Sequence, residues 1–454
     1  MLNPQIFREY DIRGVVDKDL TDRVVENIGL SFGTYLRKKE LKKVAVGSDC
    51  RLSSDRFRKI LINALSKTGC DVVDVGTVPT PVLYFSIEHL KTDGGIMITG
   101  SHNPPEYNGF KLCVETFSIY GKEIQKIRKI IENGVYLSGK GKIKKYENII
   151  ENYQKYLIEN LNLKRKIKVV IDSGNGTAGP IAPKIFEELG CDVISLYDKM
   201  DGNFPNHHPD PTVLENIQDL ISKVEEENAD LGIGFDGDAD RIGVIDENGS
   251  IIWGDYLLII FAREILKKNP GAKIISEVKA SKNLYDEISA NNGVPIMWKT
   301  GHSLIKQKMQ QVDSPLGGEM SGHMFFADRY FGFDDAIYAA GRLLEILSKT
   351  DKKLSSLLSD IPKMFNTPEI RIECPDEKKF KVVEKVKHHF SKKRYDINDI
   401  DGMRITFEDG WGLVRASNTQ PVIVMRFEST SEERLDKIQK MISKKVQEVI
   451  KSAR

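Results

Sequence analysis

The chain lacks what would tie it to a membrane, a polyanion or an oxidising compartment. No apolar run approaches a membrane span; the most apolar, Tyr256-Leu257-Leu258-Ile259-Ile260-Phe261-Ala262, stops at Arg263-Glu264. Excess charge of either sign is missing, with 67 Lys+Arg against 66 Asp+Glu. That argues against nucleic acid or an anionic membrane as partner. The lysine-rich stretch 140–145 reads as solvated linker. Cysteine is sparse: Cys50, Cys70, Cys113, Cys191 and Cys374 are scattered, odd in number and form no C-x-x-C pair. Such a set argues against a disulfide framework or a thiolate zinc site and predicts reduced thiols in a cytoplasm. The start, Met1-Leu2-Asn3-Pro4-Gln5-Ile6-Phe7-Arg8, shows no basic segment followed by an apolar one, so no signal peptide is expected.

What is present is an ordinary globular composition, 40% hydrophobic and 29% charged, spread over 454 residues. That length exceeds a single core and predicts three or four domains. Strand-like and helix-like segments alternate through the first three quarters. Val44-Ala45-Val46-Gly47 reads as a strand, 56–68 as a helix with Ile60, Leu61, Ala64 and Leu65 on one face, and Val72-Val73-Asp74-Val75 as the next strand. The pattern restarts after the polar stretch 138–147 and again near Asp255, so three similar α/β units read as an internal repeat. From about Thr367 the order changes to strand, helix, two strands meeting near Asp409-Gly410, and a final amphipathic helix. The expected boundaries are 1–147, 148–254, 255–366 and 367–454.

Four loops carry chemistry. The first is Thr99-Gly100-Ser101-His102-Asn103-Pro104-Pro105-Glu106-Tyr107-Asn108-Gly109-Phe110-Lys111, after the strand Gly95-Ile96-Met97-Ile98. It leaves Ser101 at a strand end, where α/β proteins place chemistry, as a nucleophile or a turn residue. The second is Asp236-Gly237-Asp238-Ala239-Asp240-Arg241, between apolar segments 231–235 and 242–245. Like charges about 4 Å apart repel by about 4 kcal/mol at an effective dielectric near 20, so three converging carboxylates call for a hard divalent cation. Oxygen-only ligation favours Mg²⁺ over Zn²⁺, while a solvated acidic turn is the alternative. An EF-hand is rejected, because Arg241 stands where its turn needs Gly and the flanks read as strands.

The third loop, Gly317-Gly318-Glu319-Met320-Ser321-Gly322-His323, places three hydrogen-bonding side chains together, which suits a polyhydroxylated ligand or a structural turn. The fourth, Arg415-Ala416-Ser417-Asn418-Thr419-Gln420-Pro421, offers a planar fork, hydroxyls and backbone N–H groups to a phosphate, or is a plain hairpin. Arg426 in the following strand reads as a surface or salt-bridge residue. Tyr10, Arg13, Lys279 and His302 are further phosphate or sugar candidates, though each, taken singly, reads more readily as a surface residue. The adjacent pair His207-His208 reads as structural, since neighbours on an extended chain point apart.

With these four motifs in this order, the chain resembles the α-D-phosphohexomutase superfamily over its whole length, specifically the bacterial phosphomannomutase/phosphoglucomutase branch. The resemblance implies four domains around a central cleft, three similar α/β domains with mixed sheets and a smaller α+β C-terminal one. It implies a phosphoserine at Ser101, present in the resting enzyme, and Mg²⁺ held by Asp236, Asp238 and Asp240 with an oxygen on Ser101. Glu319, Ser321 and His323 would grip the sugar; Arg415, Ser417, Asn418 and Thr419 would hold the phosphate that is not reacting. Tyr10, Arg13, Lys111, Arg241, Lys279 and His302 would line the cleft, with Ser101, Lys111, His323 and Arg13 as the catalytic set. Lys111 and His323 are the two candidates for the proton acceptor.

Two departures matter. Met320 stands where the glucosamine branch usually has Gln, which favours mannose and glucose phosphates; Ser48 stands where relatives commonly carry Arg. The implied activity is reversible phosphoryl transfer between the 1- and 6-positions of a hexose phosphate, through a hexose 1,6-bisphosphate that also serves as activator. A phosphoglucosamine mutase, a Mg²⁺-dependent sugar-phosphate phosphatase and a non-catalytic sugar-phosphate binder are the competing readings. By analogy with the family, a cytoplasmic monomer is expected.

Overall fold

The structure, a computed structural model, describes residues 2–393, 395–418 and 420–452. The described residues form four sheets. In the first, strands Gly94–Ile98, Lys43–Ser48, Asp71–Thr77 and Ile143–Lys145 run parallel, and Tyr107–Val114 and Ile12–Val15 extend the other edge antiparallel. Residues 143–145 are thus an exposed edge strand, not the plain linker their lysines predict. The second sheet orders Ile251–Ile252, Ile242–Asp246, Leu231–Phe235, Lys168–Asp172 and Asp192–Leu196. The third orders Val294–Trp298, Lys273–Glu277, Leu316–Gly318 and Met324–Phe326.

These three sheets share one device. A parallel strand runs into a loop and returns as an antiparallel neighbour: Gly94–Ile98 with Tyr107–Val114, Leu231–Phe235 with Ile242–Asp246, and Leu316–Gly318 with Met324–Phe326. The three turnarounds are the serine loop, the acidic loop and the Glu–Ser–His loop. The fourth sheet is antiparallel, and its hairpin Gly410–Ala416 with Val422–Ser429 is closed by the arginine loop. Each candidate motif therefore sits where a strand ends and its backbone leaves the ladder.

One apolar core runs through the first three units, from Tyr84 and Phe85 through Tyr153 and Phe186 to Leu258 and Tyr338. The fourth unit has its own core, in which Met403, Ile405, Val414, Met425 and Phe427 pack on Val386 and Ile442 of two helices, Asp376–Ser391 and Glu432–Ser452. Its other sheet face meets the third unit through Trp411, Leu413 and Val278. The amphipathic spacing of the last helix explains this segregation: Ile438, Ile442, Val446 and Val449 are buried along one stripe.

Candidate active site

The serine loop is held open by a buried ion pair that the sequence reading passed over. Asp49 accepts from Gly100 N at 3.0 Å and pairs with Arg51 Nε at 3.2 Å. The Arg51 guanidinium then donates to the carbonyls of Ser101 (2.8 Å), Asn103 (2.5 Å), Pro104 (2.6 Å) and Tyr107 (3.0 Å). One planar fork thus organises a loop whose own N–H groups satisfy only some of its carbonyls. The only sequence signal was an Asp-x-Arg at a strand end, beside Ser48, whose hydroxyl is buried without a hydrogen-bond partner among the described residues. Ser101 has φ +48°, a left-handed conformation that costs a non-glycine residue on the order of 1–2 kcal/mol. Its side chain is aimed across to the second sheet, where Ser101 Oγ donates to Asp236 Oδ2 at 2.8 Å.

The approach of these two loops depends on Gly237, where a Cβ would stand 2.7 Å from Ser101 O. Asp236, Asp238 and Asp240 are fully buried, with ligand atoms within 4.8 Å of one another. Asp236 Oδ1 is taken by the N–H groups of Asp240 (3.1 Å) and Arg241 (3.2 Å), and Thr80 Oγ1 donates to Asp238 Oδ2 at 2.5 Å. Asp238 Oδ1 and Asp240 Oδ1 are buried with no hydrogen-bond partner among the described residues. Unpartnered buried carboxylate oxygens beside a serine hydroxyl are the donor set a hard cation takes, so the residues present fit a divalent metal. Burial, with Asp238 and Asp240 alongside, raises the Asp236 pKa well above the usual carboxylate range. Burial also works against Asp238, but the Lys111 ammonium and Thr80 outweigh it and hold that group low.

Lys111 Nζ lies 3.2 Å from Asp238 Oδ2 and hydrogen-bonds Asp240 Oδ2. Burial disfavours its charge, yet Asp238, Asp240 and Asp334 together raise its pKa above the ordinary lysine value. His323 faces the triad from the third sheet. Arg241 Nε, which can only donate, lies 3.1 Å from His323 Nε2, so that nitrogen accepts and the ring proton sits on Nδ1. Nδ1 points between Asp334 Oδ2 (3.3 Å) and Asp240 Oδ1 (3.6 Å). Asp334 is itself held by Lys306 Nζ at 2.8 Å and stands 3.5 Å from His302 Nδ1. Burial takes the His302 pKa well below its usual value. Asp334 and Lys306 had no motif to mark them.

Glu319 Oε1 accepts from Gly301 N at 2.7 Å, and burial next to Glu277 raises its pKa. Ser321 is half-buried in the same turn. Tyr10 donates to Thr300 O at 2.6 Å and accepts from Asn418 Nδ2 at 2.8 Å, joining the first, third and fourth units. Arg13 reaches Asn103 Oδ1 at 2.9 Å, and its guanidinium is also paired with Asp11 at 2.6 Å. Arg415 Nε donates to Asp401 Oδ2 at 2.9 Å, while Ser417 Oγ accepts from Gln420 N at 3.1 Å; Thr419 lies outside the described residues. Lys279 Nζ stands 3.5 Å from Glu277 and 3.4 Å from Glu369. Arg426 is buried, not at the surface; the ion-pair half of the expectation holds, with Asp255 at 3.7 Å, and its guanidinium also hydrogen-bonds the carbonyl of Lys279. His207 Nε2 is bonded to Asp172 at 2.9 Å, the structural role expected of it.

Four motif loops from four sheets thus face one another. Against known proteins, residues 4–137, 147–249 and 253–365 match the phosphoglucomutase/phosphomannomutase alpha/beta/alpha domains I, II and III, and 369–445 match the C-terminal domain of the same family. The chain belongs to the phosphoglucomutase/phosphomannomutase family. It is 48% identical over 437 residues to a phosphomannomutase/phosphoglucomutase of Pseudomonas aeruginosa, covering 96% of this chain and 94% of that protein. It is 42% identical over 439 residues to a phosphoglucomutase of Neisseria gonorrhoeae, covering 96% and 95%. A crystal structure of a family member from Burkholderia thailandensis superposes with TM-score 0.93 at 42% identity, over 99% of this chain and 98% of that one. The family's four-domain division accounts for the three repeated turnarounds and the separate fourth core. Among the described residues no helix is long and apolar enough to cross a membrane.

Proposed function

We propose that this chain interconverts hexose 1-phosphates and hexose 6-phosphates, glucose and mannose phosphates among them, by way of a phosphate carried on Ser101. The observation that carries the reading is the placement of Ser101 Oγ 2.8 Å from Asp236, at the mouth of a triad with unpartnered oxygens. Asp236, Asp238, Asp240 and the phosphorylated Ser101 would hold Mg²⁺. That cation, when bound, offsets charge on the phosphoryl group in transit.

The remaining work belongs to the chain's own residues. Phosphoserine brings about −1.5 to −2 charges; Arg51, already on the Ser101 carbonyl, with Lys111, Arg13 and Arg241 would offset them. In transfer the Ser101 Oγ–phosphorus bond breaks as a bond forms from a sugar hydroxyl to phosphorus. The hydroxyl proton goes to His323 Nε2, whose lone pair is freed as Arg241 turns its Nε–H from the ring to the incoming phosphate, the Nδ1 proton meanwhile facing Asp334. Lys111, ion-paired to two carboxylates, serves as a charge rather than a base. The resulting hexose 1,6-bisphosphate turns over and returns its other phosphate to Ser101, and as an activator it rephosphorylates enzyme that has lost its phosphate. Glu319 and Ser321 grip hydroxyls in either orientation, while Arg415, Ser417, Asn418 and Thr419 take whichever phosphate is idle. All of these loops come from one chain, so a monomer suffices. A phosphatase would have no use for the second phosphate pocket.

The test uses glucose 1-phosphate and mannose 1-phosphate with Mg²⁺ and catalytic bisphosphate, following 6-phosphate against free phosphate. The 6-phosphate should dominate, intact mass should show one phosphate on Ser101, and Ser101→Ala should lose nearly all mutase activity. Full activity in that variant, or free phosphate as the main product, overturns the reading.

A further inference from the structure

Domain IV does not merely rest on domain III; it grips one turn of its backbone. The turn 278–282 links strand Lys273–Glu277 to helix Lys282–Ala290 and carries Lys279. Arg404 Nη1 donates to Val278 O at 2.5 Å and to Ala280 O at 2.8 Å, and Arg426 Nη1 hydrogen-bonds Lys279 O. Glu428 Oε1 accepts from Lys282 N at 2.9 Å and from Trp411 Nε1 at 2.7 Å. Three consecutive carbonyls and the N–H that opens the helix are therefore held by side chains from one face of the domain IV sheet. That shared face follows from the register, in which Arg404 pairs with Leu413, Leu413 with Arg426, and Trp411 with Glu428.

Arg404 is buried, and its guanidinium lies 3.8 Å from the Trp411 ring centroid. Among the described residues no carboxylate is within ion-pair distance of it, and the nearest to Arg426 is Asp255 at 3.7 Å. Burying a guanidinium without a close counter-charge is unfavourable, and an apolar residue of similar volume would dock two domains at least as well. What arginine adds is a rigid fork that fixes the position of the carbonyls it meets. The carbonyls fixed here are those of Lys279 and its two neighbours. The ammonium of Lys279 stands between Glu277 of domain III and Glu369 at the start of domain IV, at 3.5 and 3.4 Å.

We infer that Arg404 and Arg426 are positioning residues that tie Lys279 to domain IV, so that Lys279 is aimed into the cleft only when domain IV is seated. This rests on the proposed role of Lys279 as a substrate-phosphate contact. The phosphate pocket of the Arg415 loop and the Lys279 ammonium then move as one unit, although they belong to different domains.

A double-mutant cycle tests it, with glucose 1-phosphate as substrate. Lys279→Met is measured first and should lower kcat/KM at least tenfold; wild-type kcat/KM would remove the Lys279 role itself, whatever Arg404 does. Arg404→Lys keeps the charge and loses the fork. It should lower kcat/KM at least tenfold, chiefly through KM, with the thermal midpoint nearly kept. In the Lys279→Met background the same change should cost less than twofold. Should Arg404→Lys unfold domain IV, Arg426→Lys carries the same cycle. An equal fold-loss in both backgrounds, or wild-type kcat/KM in a folded Arg404→Lys, overturns the inference while leaving Lys279 as a contact.

Discussion

Asp334 Oδ1 accepts from Lys306 at 2.8 Å while Oδ2 stands 3.3 Å from His323 Nδ1. One buried carboxylate thereby restrains the ring and neutralises a buried ammonium. Asp334→Asn keeps the shape, but its amide removes the charge that favours a proton on His323 Nδ1. If His323 Nε2 takes the sugar proton, kcat should fall by on the order of 10²–10⁴, the range for a lost general base, with KM within about twofold. Lys306, left without its partner, should lower stability by roughly 3–5 kcal/mol, read from denaturant midpoints. Wild-type kcat would sink the assignment of the base. At this scale the sequence marked the residues that line the candidate site and passed over those behind them. Ser101, the Asp triad and Glu319 lie in Gly-rich loops with few other uses for such side chains. Arg51, Asp334 and Lys306 lie beside ordinary strands and helices, and their importance is a matter of which chain segment is brought against them.

The helix Ala336–Ser348 is capped by Asp335, whose Oδ1 accepts from Tyr338 N at 2.8 Å. Tyr330 and Tyr153 also donate to this carboxylate, at 2.6 and 3.0 Å, yet complete burial raises its pKa to about 6. The folded state therefore binds this proton more tightly than the unfolded chain does. Its contribution to stability is fully present below the unfolded value near 4 and is lost as pH rises to about 6. Asn at this position cannot ionise. The stability difference between wild type and Asp335→Asn should thus shrink, by roughly 3 kcal/mol at most, as pH rises from 4 to 6. Urea midpoints across that range measure it, and a constant difference would refute it. Element by element, the periodicity of strands and helices was readable, as in the helix Gly254–Lys268 and the stripe of the last helix. The antiparallel return of the first three motif strands was not, because pairing direction depends on where the loop sends the chain.

The first three domains share a core, whereas the fourth keeps its own and meets the third through a small apolar cluster and directional hydrogen bonds. Tyr10 is where the two arrangements meet, its hydroxyl bonded to Thr300 O and to Asn418. Tyr10→Phe removes both bonds and little apolar contact. A loss of about 1–2 kcal/mol should appear as a KM for glucose 1-phosphate raised roughly 5–30-fold, because seating of domain IV is part of binding. Thermal midpoint and kcat should stay close to wild type. An unchanged KM would show that the three-domain junction contributes nothing to ligand capture.

By itself the sequence determined the alternation of elements, the four-unit organisation, the family, and the four loops in which chemistry is concentrated. Those are local properties: period, turn residues and short runs of polar side chains legible within a few positions. The tertiary structure alone decided that Ser101 meets Asp236, that Lys111 pairs with two of the three aspartates, and that Arg426 is buried against the Lys279 backbone. The partners in each of these contacts are more than a hundred residues apart. Their meeting is set by the packing of the four domains, and no pattern confined to either partner's own segment encodes it.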